Sequence, residues 1–249
     1  MQILYRISSN SYKKERLPIA TKEYCLKNFI ENVLTSDDFM TIMADSVDQE
    51  LGGFISQFES NNIKIMPINF RSNGASFRFQ LEYVRSLELN EVVMFQEDDY
   101  IYKAPSWPYG LSSKYSKMIE RALKFADYIS LYDHPDKYLP PEAGGNKLVS
   151  PEGTEKTEIF CTADSHWKYT NSTTCTFAAR AETILKDAKI WHEFCKTDHP
   201  YDFQAFLALG CKGRKIATAI PGRATHADIG WISPLFDIKQ ITFREQINR

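Results

Sequence analysis

The chain predicts an α/β fold with a mainly parallel central sheet flanked by helices, and two features carry that expectation. Short apolar runs alternate with amphipathic segments of helical period through the first hundred residues, and each apolar run ends in a cluster of polar side chains. The length agrees, since 249 residues at 43% hydrophobic content can bury one large core.

Residues 3–7 form the first apolar run, and the polar stretch from Ser8 to Arg16 follows as a loop before Pro18. Residues 22–34 repeat Tyr24, Leu26, Phe29, Ile30, Val33 and Leu34 near helical spacing, and residues 39–44 return to strand character, giving a β-α-β unit. A helix over 52–60, a strand over 63–68, a helix over 76–87 and a strand over 92–95 continue the alternation. Right-handed crossovers then leave ligands to gather outside the strands' carboxyl ends. Those ends carry the segments 6–16, 45–48, 71–74 and 96–99. The second half is less regular: helix 116–126, strand 128–132, and a loop-rich excursion over 135–158 with Pro140-Pro141 and Gly144-Gly145, expected to act as a lid. Strands over 160–162 and 174–179, helices over 181–190 and 202–209, and a mixed tail after Pro221 complete the chain, with no internal repeat.

Thirty basic against 32 acidic residues leave a formal charge of -2, so no global field draws the protein to nucleic acid or an anionic membrane, and any phosphate must be held locally. No stretch approaches the roughly 18 apolar residues of a membrane span, and Arg6 interrupts the short N-terminal apolar run. A cytoplasmic protein is expected. Cys25, Cys161, Cys175, Cys195 and Cys211 are widely spaced without a C-x-x-C pair, which predicts reduced, buried thiols.

The sharpest chemical signal is the run Glu97-Asp98-Asp99, entered directly from the apolar strand 92–95 and followed by Tyr100-Ile101-Tyr102. Three adjacent carboxylates at the rim of a core repel one another and lose hydration, so they require a cation or donors opposite them. Mg²⁺ or Mn²⁺ fits, since these hard ions pair one or two protein carboxylates with diphosphate oxygens and water. The alternative is a solvated acidic turn. The segment FQEDDYIYKAP over 95–105 resembles the aspartate motif of GT-A glycosyltransferases, in the E-D-D variant of the DXD motif with a following proline, here Pro105. That resemblance implies a GT-A-type nucleotide-diphospho-sugar transferase fold, direct metal ligation by Asp99, and support from Asp98 and Glu97. It also implies one catalytic domain over 1–249, with a nucleotide-sugar half (1–105) and an acceptor half (106–249).

Further segments fall in the order such family-two-like enzymes use. Asp45, after the second strand, resembles the acid that hydrogen-bonds the nucleotide base; a helix N-cap is its other use. Asn73-Gly74-Ala75-Ser76 resembles the turn that opens the helix before the acidic strand, where glycine lets backbone approach a ligand and Ser76 is a possible cap. Tyr201-Asp202 resembles the E-D pair at a helix start, which implies Asp202 as the general base of inverting transfer, with Asp198 in reserve. His226 stands where many GT-A enzymes place a further metal ligand. Arg6, Ser8 and Arg16 suit base, ribose or diphosphate, although the family-two opening P-T-Y-N is missing. On the acceptor side Trp107, Tyr109, Trp167, Tyr169 and Trp231 are candidates to stack on sugars, Trp167 foremost because its neighbours are polar. His134, His166, His192 and His199 are assigned surface or core places.

The expected activity is metal-dependent transfer of a sugar from a UDP- or GDP-sugar to a glycan or other hydroxyl acceptor. A sugar nucleotidyltransferase is the rival enzyme class, disfavoured because residues 8–16 contain no glycine. A non-catalytic carbohydrate-binding protein on the same fold is the rival outside enzymology.

Overall fold

The computed structural model describes residues 1–10, 14–105 and 114–238. In chain order its elements are β1 (Gln2–Ser8), α1 (Lys22–Asn32), β2 (Phe39–Asp45), α2 (Gln49–Ser56), β3 (Ile63–Ile68), α3 (Asn73–Tyr83), β4 (Val92–Glu97), β5 (Tyr100–Tyr102), α4 (Tyr115–Ala122) and β6 (Tyr128–Ser130). After these come β7 (Ile159–Cys161), β8 (His166–Thr170), β9 (Phe177–Arg180), α5 (Ala181–Phe194), α6 (Asp202–Cys211), β10 (Ile216–Ile220) and β11 (Ala224–His226). Capping sets the helix starts. Asp48 accepts from the Leu51 amide and Ser72 from the Ala75 amide, so α2 and α3 begin three residues before the apolar period suggested.

Nine strands form one sheet in the order β3-β2-β1-β4-β9-β6-β10-β8-β7. The first four are parallel, with Ser8 opposite Asp45 and Arg6 opposite Glu97. Beyond β4 the sheet turns mixed: β9 runs antiparallel to both β4 and β6, β10 is parallel to β6, and β8 and β7 add antiparallel pairs. Alternate residues of β1 serve two cores. Ile3, Tyr5 and Ile7 meet Phe29 of α1, while Leu4 meets Phe77 of α3 and the Phe95, Phe177 and Trp191 group. A separate two-stranded ribbon pairs β11 antiparallel to β5, which puts His226 opposite Tyr100.

Three expectations for the second half are corrected. Trp167 is fully buried on β8, stacked on Phe160 at 6.3 Å, with its indole N–H donating to Thr162 Oγ1 at 3.0 Å; a satisfied N–H lets a tryptophan sit in a core, so it is not an exposed sugar platform. The 135–158 excursion is pinned. Buried Lys137 donates to Asn171 Oδ1 (2.9 Å) and Ser172 Oγ (2.7 Å), and buried Lys168 donates to Tyr138 OH at 2.9 Å, so lifting the segment as a lid would strand buried charges. Of the five free thiols, Cys161 and Cys211 are exposed rather than buried. Trp107 and Tyr109 lie outside the described residues. Among the described residues no helix is long and apolar enough to cross a membrane.

Candidate active site

The carboxyl ends of β1 to β4 open into a cleft of about 740 Å³. It brings together Arg6, Ser8, Asp45, Asn73, Glu97, Asp98, Asp99, Asp202 and His226, nine of the ten candidate site residues, with Arg16 and Trp231 also on its wall.

The acids are neutralised one by one from the N-terminal segment. Arg6 bonds Glu97 at 2.8 Å, Lys22 bonds Asp98 at 2.5 Å, and Arg16 bonds Asp99 at 3.2 Å, while the Ser8 amide donates to Asp98 Oδ2 at 3.0 Å. This answers the burial problem that the run Glu97-Asp98-Asp99 poses. Burial, together with Asp99, Asp202 and Asp98, pushes the Glu97 carboxyl up to about 7 against the pull of Arg6. Burial also works on Asp99, but there His226, Arg16, Lys14 and Lys22 prevail and hold the carboxyl below its ordinary value.

His226 Nε2 lies 3.5 Å from Asp99 Oδ2, and burial keeps the imidazole pKa low despite Asp99. Its Nδ1 accepts from the Asp228 amide at 2.9 Å, so the neutral ring carries its proton on Nε2, facing Asp99. Among the described residues no group of three or more His, Cys, Asp or Glu forms a metal-holding cluster. The donor set fits a hard cation only where ligand oxygens and water complete the shell around Asp99. For His226 to join through Nε2, its proton must move to Nδ1 and the Asp228 amide must find another acceptor.

Asp202 is the first residue of α6, after Tyr201 at the cap position. Its Oδ1 accepts from the Phe203 amide at 2.7 Å, and burial raises its pKa although His199 and His134 act to lower it.

Asp45 is differently placed. Its Oδ1 accepts from the amides of Phe70 (2.8 Å) and Arg71 (3.0 Å) and from Ser46 Oγ (2.9 Å), and its Oδ2 accepts from Ser76 Oγ. These donors occupy Oδ1 fully, while Oδ2 accepts from Ser76 alone. Ser76 therefore binds Asp45, and Ser72 caps α3. Gly74, the tenth candidate, makes its close approach to protein: a Cβ there would overlap the Thr197 carbonyl oxygen, and its amide donates to Asp198 O at 2.8 Å. With Arg6 bonding Asn73 O at 2.8 Å, this contact packs the 195–198 turn, and hence the start of α6, beside β1 and α3.

The cleft also holds Arg71, from the strand-end segment 71–74, the histidines His134 and His199, which were assigned surface or core places, and Lys137 and the hydroxyl run Ser172-Thr173-Thr174, which sequence reasoning passed over. His199 stands three positions before Asp202 and was within reach of local inspection. His134 and Ser172 arrive on connections whose placement follows from antiparallel pairing far along the chain.

No family model and no curated protein matches the chain in sequence. Among solved structures, GalNAc-T7 with UDP, GalNAc and Mn²⁺ aligns at 10% identity over 93% of this chain and 44% of its own, with a TM-score of 0.53. The galactosyltransferase LgtC, in complex with donor and acceptor sugar analogs, aligns at 10% identity over 88% and 73% with a TM-score of 0.48. A 4-diphosphocytidyl-2C-methyl-D-erythritol synthase aligns at 9% identity over 100% and 99% with a TM-score of 0.45. Only the first score is high enough to bear on architecture, and it shows the expected GT-A fold alone.

Proposed function

We propose that the cleft binds a nucleoside diphosphate sugar, UDP- or GDP-linked, and transfers the sugar to a hydroxyl of a glycan or other acceptor. The observation that carries this is the convergence, at the carboxyl ends of the parallel strands, of an ion-paired acidic cluster, basic side chains and a half-buried carboxylate at a helix start. Asp202 is the proposed base. Its raised pKa suits it to take the acceptor proton as the hydroxyl oxygen attacks the anomeric carbon, with inversion, and the bond to the diphosphate breaks. Arg16 and Lys22 hold Asp99 and Asp98 from the cleft wall, and a diphosphate is the ligand able to compete for those donors. Mn²⁺ or Mg²⁺ held by Asp99, with His226 on the rearrangement above and with Glu97 and Asp98 in support, would stabilise negative charge on the leaving diphosphate. Residues 1–105 serve the donor and residues 106–249 the acceptor, with Trp231, one of the acceptor-side aromatic candidates, on the cleft wall.

Thermal shift with UDP, GDP, CDP and ADP, with and without Mn²⁺, tests the reading. A nucleotide at 100 times its dissociation constant stabilises by about 2.7 kcal/mol. Stabilisation by one nucleotide class that needs Mn²⁺ and vanishes in Asp99→Asn is the expected result. No shift with any nucleotide would sink the proposal.

A further inference from the structure

We infer that β7 pairs with β7 of a second copy of this chain, joining two nine-stranded sheets into one across a twofold axis at Phe160. The inference is independent of what the cleft binds.

The two edges of the sheet, β3 and β7, are built differently. The β3 edge carries Lys64 and Pro67, residue types that keep an edge from pairing. The β7 edge, Ile159-Phe160-Cys161, has neither a charge nor a proline, and its Ile159 is 65% exposed. On it Phe160 stacks on Phe125 at 5.0 Å and meets Tyr169 at 5.1 Å, and Phe125 is itself 48% exposed. Open backbone and exposed aromatic surface therefore lie together at this edge.

The register selects a second copy as the occupant. The Tyr169 amide donates to Glu158 O at 3.1 Å and the Thr162 amide to Ser165 O at 2.9 Å, so Glu158, Phe160 and Thr162 turn their backbone groups toward β8. Ile159 and Cys161 turn theirs outward, and among the described residues no strand takes them. An antiparallel twofold at Phe160 sets Ile159 opposite the partner's Cys161 as a pair that exchanges both its hydrogen bonds, and symmetry repeats that pair. The two Phe160 side chains then face each other at the closer, non-hydrogen-bonded position, an aromatic cross-strand pair. The same register puts exposed Glu158 opposite the partner's Thr162. Thr162 shares the Asp164 carboxylate with Arg121, whose side chain is 43% exposed, so each Glu158 comes beside the partner's Arg121. A foreign strand would satisfy the backbone alone; the match of Phe160 with itself and of Glu158 with Arg121 is what a second copy supplies.

Sedimentation equilibrium of the full chain over a concentration series tests this. Wild type should approach twice the chain mass. The double variant Ile159→Pro with Cys161→Pro should return to the single mass with an unchanged circular dichroism spectrum, because the amides it removes face away from β8. Opposed hydrogen-bonded residues have Cα atoms about 5.5 Å apart, within disulfide reach, so in Ile159→Cys mild oxidation with diamide should link two chains through the partner's Cys161. Adding Cys161→Ser should abolish that link, and adding Cys211→Ser should not. A wild type that keeps the single mass at every concentration overturns the inference, as does a dimer that survives the prolines. Should the prolines unfold the chain, the Ile159→Cys link decides, and its failure to form overturns the pairing.

Discussion

The two rims of the cleft use carboxylates in opposite ways. On the β2–β3 rim, Asp45 is bonded by two backbone amides and two hydroxyls, donors fixed by the turn they stabilise. On the β4 rim, Asp98 and Asp99 are met mainly by the tips of Lys22 and Arg16, long side chains that can exchange a carboxylate for another anion. Both sets stand at strand ends in an α/β sheet. Their partners, not their position, separate a carboxylate tied into a turn from one whose partners can exchange.

The largest expected effect belongs to the proposed base, which stands apart from both rims at the start of α6. Asp202→Asn should cut sugar transfer by roughly 10² to 10⁴-fold, the usual weight of a general base, and leave thermal stability unchanged or higher because it removes a carboxyl that burial disfavours. Near-normal turnover would move the base elsewhere. Next, Asp45→Ala should lower stability by about 3 kcal/mol in urea unfolding, since two backbone amides lose their acceptor at about 1–3 kcal/mol each. Asp98→Asn, on the exchangeable rim, should cost less than Asp45→Ala, because asparagine keeps an oxygen for the Ser8 amide and the Lys22 tip can turn to water. Equal losses at the two positions would break the contrast.

The smallest effect is a difference in sign with pH. Burial raises the Glu97 pKa from 4.5 to about 7, so its contribution is fully present below 4.5 and is lost as pH rises through about 7; Glu97→Gln should flatten that part of the unligated stability profile. Asp45 runs the other way. Its pKa is lowered by Ser76, the Arg71 amide, Ser46 and the Phe70 amide against the pull of burial, so its contribution is present above the ordinary value of 3.8 and is lost on acidification. Unfolding at a series of pH values, with each variant, reads both slopes.

The same division runs through what was legible. The parallel strands β1 to β4 and their helices followed from apolar period, which is a local property, although β4 pairs with β1, Gln2 opposite Val93, and not with β3, the strand before it in sequence. β8 and β11 were missed as strands: His166–Thr170 and Ala224–His226 lack a clean alternation, β11 pairs only with β5, over 120 residues away, and β8 has one partner nearby in β7 but the other, β10, 46 and more residues away. Trp167 was misjudged for that reason, since polar neighbours in sequence faced elsewhere once β8 joined the sheet.

The sequence by itself determined the α/β architecture, the acidic run at the end of β4 and the candidates Asp202 and His226, because strand period and residue chemistry are local properties. Tertiary structure alone decided that Arg6, Lys22 and Arg16 each meet one acid, that Asp45 is held by the Phe70 and Arg71 amides, and that Gly74 faces a carbonyl. Those are pairings between distant segments, and their choice depends on which donors the sheet's register and helix packing bring within hydrogen-bond reach.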